Sequence, residues 1–250
     1  MISERKTRKE ERGTGSSAKP IYLFADSQLL FWKENGFLFL ESLRNSIKQD
    51  SPSAVYVGAS NGDNPDLYSI FEAAMQGIGI NQNRMILSGF STDEAVIMDR
   101  ADIILLAGGD AEAGWRILES SGLRECIARR YSEGSLLIGV SAGAVQLGTR
   151  LPPSPDSLND PVKSFELVPF IISTHDEGSE WSTLTRTVQT LGNGTRGIGI
   201  ATGAGAIYHV DGSIQPIRLP LDEYTAEGSR LSHRVLLPPV DTMVDVLEVC

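Results

Sequence analysis

Cysteine is almost absent from this chain, at two residues in 250, Cys126 and Cys250. That scarcity excludes a disulfide framework and favours a reducing, cytosolic compartment. Histidine is nearly as rare, at three, and the three are scattered. Neither Cys-x-x-Cys nor His-Glu-x-x-His spacing occurs, so no metal centre is expected. Net positive charge is lacking as well. A formal charge of −10 denies the chain the basic footprint that nucleic acid or an anionic membrane requires. Residues 1–19 hold no apolar run long enough for a signal peptide or a membrane span, so neither is expected there. Neither a Walker loop nor a dinucleotide fingerprint is found, so no nucleotide cofactor is expected.

What is present is a globular composition, 41% hydrophobic over 250 residues, enough for one sizeable core. Residues 1–19 are rich in Arg, Lys, Glu, Gly and Ser and are expected to form a disordered tail, leaving 20–250 as a single domain. Short apolar runs then alternate with helical patterns. Pro20 to Phe24, Ala54 to Gly58, Met85 to Leu87 and Ala101 to Ala107 read as strands. Between them, one helix is expected with Phe37, Leu40, Leu43 and Ile47 on one face, a second over 66–77 with Leu67, Ile70, Phe71 and Ala74 inward, and a third over 92–100. This rhythm predicts an α/β fold, a mostly parallel central sheet with helices on both faces. After Ile200 the pattern shifts to short strands around Asp211-Gly212, read as small antiparallel additions at a sheet edge.

The most informative stretch is Leu136-Leu137-Ile138-Gly139-Val140-Ser141-Ala142-Gly143-Ala144, a buried-strand pattern breaking into Gly-x-Ser-x-Gly and then small residues that open a helix. This is the signature of a nucleophile elbow, which lifts a serine above the sheet, so Ser141 is the candidate nucleophile. Such a serine needs a base. His209 sits in an alternating run beside Asp211-Gly212 and reads as structural, while His233 among serines and arginines reads as a solvated surface imidazole. His175 ends the apolar run from Val168 to Thr174 and precedes polar residues, at a strand mouth where loops carry function. It is the candidate base by elimination and position. A second turn, Gly108-Gly109 after the run ending at Ala107, offers a backbone amide to an oxyanion. The amides of Gly109 and Ala142 are the expected donors.

Four pieces taken in order, Ile104 to Asp110, Ile138 to Ala144, Leu167 to Phe170 leading to His175, and Gly197-Ile198-Gly199-Ile200, resemble the peptidase family that groups dipeptidase E with cyanophycinase. The resemblance spans most of the chain after residue 20. It implies a fold similar to class I glutamine amidotransferases (flavodoxin-like) and a serine hydrolase of small peptides, isopeptides or aminoacyl amides, with Ser141 as nucleophile and His175 as base. Members similar to dipeptidase E take an aspartate from the loop after the nucleophile helix, and the matching position here is Asp156, with Asp160 its neighbour and rival. Members similar to cyanophycinase instead carry an acidic pair directly after Gly-Ile-Gly-Ile. Here Ala201-Thr202-Gly203 follow, which closes that route to a carboxylate.

Relatives of dipeptidase E also carry basic residues downstream of the histidine, whereas this chain has Asp176, Glu177, Glu180 and Trp181. Glu177, Glu180 and Trp181, with Asp110 and Asn61, are the expected substrate-binding residues. The carboxylates and the indole would favour a cationic group through charge pairing and cation–π contact. Asp26, Ser27 and Asn61 are further candidates for the pocket lining. No cofactor, metal, nucleic acid or membrane partner is expected, and a homodimer is an allowed assembly. Two other readings stand beside hydrolysis: a non-catalytic member that binds a small ligand, motivated by the missing acid after Ile200, and an acyltransferase that uses the same serine.

Overall fold

The computed structural model describes residues 19–153 and 160–239. In chain order its strands are β1 (Ile21–Phe24), β2 (Lys33–Glu34), β3 (Phe37–Leu38), β4 (Ser53–Val57), β5 (Gln82–Ile86), β6 (Ile103–Leu106), β7 (Leu136–Val140) and β8 (Arg150–Leu151). Then come β9 (Val162–Lys163), β10 (Ile171–Thr174), β11 (Arg196–Ile200), β12 (Gly205–Tyr208), β13 (Ile214–Ile217), β14 (Leu221–Glu227) and β15 (Arg230–Leu236). The helices are α1 (Phe39–Asn45), α2 (Pro65–Gly77), α3 (Thr92–Met98), α4 (Ala111–Ser121), α5 (Leu123–Ser132), α6 (Ala142–Leu147) and α7 (Ser182–Leu191).

The central sheet runs β13-β12-β1-β7-β6-β4-β5. Its five strands from β1 to β5 are parallel, and β12 and β13 add antiparallel at one edge. Strands buried on both faces need apolar residues at every position, which is why β1, β6 and β7 are uninterrupted apolar runs. Alternation splits these residues between two cores: Ile21, Leu23, Val55 and Val57 pack on one face, and Tyr22, Phe24, Ala54 and Tyr56 on the other. Register aligns the carboxyl ends, since Val57 pairs with Leu106 and Leu106 with Gly139. The turns beginning at Gly58, Ala107 and Ser141 therefore emerge side by side, where open α/β sheets bind their ligands.

β10 does not join that sheet. It pairs with β11 in a second sheet, β10-β11-β14-β15, completed by the antiparallel pair β14 and β15. α6 spans the gap, packing against β7 on one side and β10 on the other. Its exit is tight: a Cβ on Gly148 would lie 2.9 Å from the Phe170 carbonyl oxygen. The expected antiparallel additions after Ile200 are thus of two kinds, an edge hairpin on the main sheet and half of a separate sheet.

Two local expectations are corrected. Phe37 lies in β3 and is 67% exposed, so the first helix starts two residues later and buries Phe39, Leu40 and Leu43. On α2 the inward residues are Phe71, Ala74 and Met75, while Leu67 and Ile70 face a cavity. Cys126 is buried in α5. Residues 1–18, Asp156 and Cys250 lie outside the described residues.

Candidate active site

β7, buried along its whole length, passes into α6 through Ser141, whose backbone sits at φ 50°, ψ −114°. Few residues other than glycine adopt this conformation, and it persists only where the surroundings over-determine it. Here the Ser141 amide donates to the Phe24 carbonyl at 2.8 Å, and the Val145 amide donates to the Ser141 carbonyl at 3.0 Å. The flanking glycines are packing requirements. A Cβ on Gly139 would lie 2.6 Å from Ala144 Cα, and one on Gly143 would lie 2.1 Å from the Leu106 carbonyl oxygen.

The Gly108-Gly109 turn lies against this elbow, since a Cβ on Gly108 would come within 3.2 Å of the Ser141 Cβ. Gly109 has φ +140°, and a Cβ there would sit 2.0 Å from the Ser60 carbonyl oxygen, so only glycine fits. Asn61 holds the turn. Its Nδ2 donates to the Gly108 carbonyl at 3.0 Å and to the Tyr56 hydroxyl at 2.8 Å, while its Oδ1 accepts from the Asn64 amide at 3.1 Å. The Gly108–Gly109 peptide is trans, so the Gly109 N–H points opposite to that carbonyl and away from Asn61. Asn61 is thus engaged in aiming a backbone donor, and it does not line the cavity described below. Asp110 is a helix cap, its Oδ1 accepting from the Ala113 amide at 2.9 Å, and the acidic side chain is exposed. Ala142, the other expected oxyanion donor, is the first residue of α6 and is buried.

His175 comes from the second sheet. β10 and β11 end in register, Thr174 opposite Ile200, so the residues that follow each strand meet in space. His175 turns at φ 60°, and its Nδ1 lies 3.1 Å from Thr202 Oγ1. The Thr202 amide donates to Glu177 Oε1 at 3.0 Å. Burial alone would raise the Glu177 pKa. Contact with Thr202 and with its own amide, with His175 close by, outweighs it and holds the carboxyl below its usual range. The turn is tied to the main sheet by Asp26, whose Oδ2 accepts from the Gly203 amide at 2.6 Å and whose Oδ1 accepts from the Gln28 amide at 2.8 Å. Sequence reasoning passed over Thr202 because it sought a carboxylate after Ile200. The only signal available was a hydroxyl at that place.

Ser141 and His175 line one cavity of about 200 Å³ with Gly108, Asp26 and Ser27. The remainder of its wall is Tyr56 and apolar residues, among them Leu30, Leu67, Ile70, Phe71, Leu105 and Val140. Among the described residues the Ser141 hydroxyl is not bonded to the imidazole; a looser nucleophile–base pair is common before substrate binds. The acidic loop expected to bind substrate is placed elsewhere. Trp181 is 4% exposed, stacks over Gly199 where a Cβ would lie 2.6 Å from the ring, and donates its indole N–H to Asp222 at 2.9 Å. Glu177 serves the Thr202 turn, and Glu180 is an exposed left-handed residue before α7. None of the three lines the cavity.

The other histidines are accounted for. His209 Nε2 meets Gln215 Oε1 at 3.0 Å across the β12–β13 hairpin. His233 is exposed, stacks on Tyr224 and bonds Asp222 at 2.7 Å. Asp160 is exposed among the described residues. Among them, no group of His, Cys, Asp and Glu is arranged to hold a metal ion, and no helix is long and apolar enough to cross a membrane.

Residues 14–216 match the model of peptidase family S51. No curated protein sequence matches the chain. Among solved structures, a peptidase from an acI-B1 Actinobacterium superposes with a TM-score of 0.65 at 15% identity, covering 89% of this chain and 96% of its own. A protein from Listeria monocytogenes EGD-e described as a peptidase E superposes with a TM-score of 0.59 at 17% identity, covering 80% of this chain and 98% of its own. At these identities the likeness is one of fold.

Proposed function

The chain belongs to peptidase family S51 and is a peptidase-like hydrolase of the serine type, and on that premise we propose that it cleaves small peptides, isopeptides or aminoacyl amides carrying an apolar side chain beside the scissile bond. The observation that carries this reading is the shared cavity, in which a serine held in a strained elbow and an imidazole from the second sheet face a mostly apolar wall. In the proposed course, His175 Nε2 takes the proton of the Ser141 hydroxyl as Oγ attacks the carbonyl carbon. The charge that develops on the carbonyl oxygen is met by the amides of Ala142 and Gly109. The C–N bond then breaks, the imidazolium returns its proton to the departing amine, and water repeats the attack on the acyl-enzyme.

The lining supports the substrate class. An apolar cavity of roughly 150 Å³ holds a benzene ring, so one of about 200 Å³ suits a phenyl or branched aliphatic group. A charged side chain there would lose its hydration without gaining a partner. The only carboxylate on the wall, Asp26, already accepts an amide bond on each oxygen. The acidic-loop preference for a cationic group is therefore replaced by a preference for an apolar one. With two cysteines, the chain suits a reducing cytosol.

A dipeptide and isopeptide library varied on both sides of the bond, with Ser141→Ala as control, tests this. Leu- or Phe-containing substrates should exceed Asp- or Lys-containing ones by at least about tenfold in kcat/KM, in line with burial of one such side chain. Equal or better turnover of the charged series overturns the substrate class. Undiminished turnover by the Ser141→Ala protein overturns the hydrolase mechanism itself.

A further inference from the structure

The geometry assigns Thr202 and Glu177 as a relay that orients His175, Thr202 through its hydroxyl at the ring and Glu177 through its hold on the Thr202 amide. This rests on the reading of His175 as the base. Two bonds build it: His175 Nδ1 lies 3.1 Å from Thr202 Oγ1, and Glu177 Oε1 accepts from the Thr202 amide at 3.0 Å.

Donor and acceptor counting fixes the proton. To take the Ser141 proton Nε2 must hold a lone pair, which leaves the neutral ring's own proton on Nδ1. The Thr202 hydroxyl oxygen, 3.1 Å away, accepts from that Nδ1–H and holds the ring in this tautomer. Nε2 keeps its lone pair and is the nitrogen free to take the Ser141 proton. No proton travels along the relay during attack: the serine proton comes to rest on Nε2, and Nδ1–H keeps its bond to Thr202. Glu177 acts by holding the Thr202 amide, which keeps the hydroxyl against the ring.

The placement is built. β10 and β11 end in register, so His175 and Thr202 follow neighbouring strand ends, and Asp26 pins the next residue, Gly203, through its amide at 2.6 Å. Glu177 begins the short 3-10 turn that directly follows His175, so base and carboxylate leave the same strand. Thr202 and Glu177 act through His175 and are positioning residues.

The test measures kcat and KM on a Leu- or Phe-containing dipeptide for Thr202→Val, Thr202→Ser, Glu177→Gln, Asp156→Asn and His175→Ala, with the proton spectrum of the ring Nδ1–H recorded alongside. Thr202→Val keeps the amide bond to Glu177 and removes only the hydroxyl. It should lower kcat at least about tenfold with KM unchanged, the scale of losing a group that orients a functional histidine. It should also erase the hydrogen-bonded Nδ1–H resonance. Thr202→Ser should restore both readouts, and Glu177→Gln should lower kcat with KM unchanged. Wild-type kcat in Thr202→Val beside an inactive His175→Ala protein overturns the relay and leaves the base intact. The relay is likewise overturned if Asp156→Asn abolishes turnover while Thr202→Val and Glu177→Gln do not alter it. Full activity in His175→Ala overturns the base reading and the relay with it.

Discussion

Ser141 stores strain that its replacement should release. At φ 50°, ψ −114° the residue occupies a region that costs a non-glycine side chain about 1–3 kcal/mol. Glycine adopts it freely, and the two backbone bonds that fix the elbow, to Phe24 and Val145, do not involve the side chain. Ser141→Gly therefore recovers most of that strain, less the roughly 0.5–1 kcal/mol by which glycine's greater unfolded-state freedom disfavours folding relative to alanine. Ser141→Ala keeps the Cβ and keeps the strain. The Gly protein should be more stable than the Ala protein by about 0.5–2 kcal/mol. For a chain of this size that is an increase of roughly 1–8 °C in Tm. Both proteins should be inactive, so the comparison separates strain from chemistry. Thermal unfolding of the pair, followed by calorimetry and by far-ultraviolet circular dichroism, reads the difference. A Gly protein that melts at or below the Ala protein refutes the argument that the elbow is held against its own preference.

Three further outcomes follow from the same geometry. Gly143→Ala drives a methyl to 2.1 Å from the Leu106 carbonyl oxygen, so α6 must move off β6; a stability loss of about 3 kcal/mol in urea unfolding, with loss of turnover, is expected. Asn61→Leu frees the Gly108–Gly109 peptide to rotate, and kcat should fall by about 10- to 100-fold, while Tyr56→Phe, which removes only the other bond of the Asn61 amide, stays within a few-fold of wild type in the same assay. Glu94 closes a capping box with Ser91 at the start of α3 and also accepts from the Leu87 amide at 2.6 Å. Burial raises its pKa, but the bonds from Ser91 and Leu87 outweigh this and leave the carboxyl below its usual range. A carboxyl depressed by folding stabilises above its unfolded pKa and loses that contribution as pH falls through the folded value. Glu94→Gln should therefore lower Tm at neutral pH and flatten its decline in acid, as read from melting curves taken between neutral and strongly acidic buffer.

The elbow was legible in sequence because both of its glycines are forced by close approach, Gly139 to Ala144 and Gly143 to Leu106. The parallel sheet was legible because strands covered on both faces must be apolar throughout. His175 emerged from a field of three, and the structure places it on the wall that Ser141 shares. Other features left no pattern. Whether β10 extends the central sheet or starts a second one depends on α6 spanning the two, a long-range arrangement that local periodicity does not encode. Leu67 and Ile70 carry the helical spacing of core residues, and a cavity wall has the same spacing as a core. Trp181 looked like a pocket aromatic beside the base, yet a left-handed turn at Glu180 and Trp181 folds the indole back over Gly199. Thr202 was overlooked because a neutral hydroxyl carries no charge signature, and only its place 3.1 Å from the His175 ring singles it out.

The central claim, that a serine and a histidine from different sheets form one nucleophilic centre, is tested most directly by fluorophosphonate labelling with the adduct located by peptide mass spectrometry. A single adduct is expected on Ser141, absent from the Ser141→Ala protein and formed at least about a thousandfold more slowly in the His175→Ala protein. An adduct on another residue, or labelling of Ser141 at an undiminished rate without His175, contradicts the account.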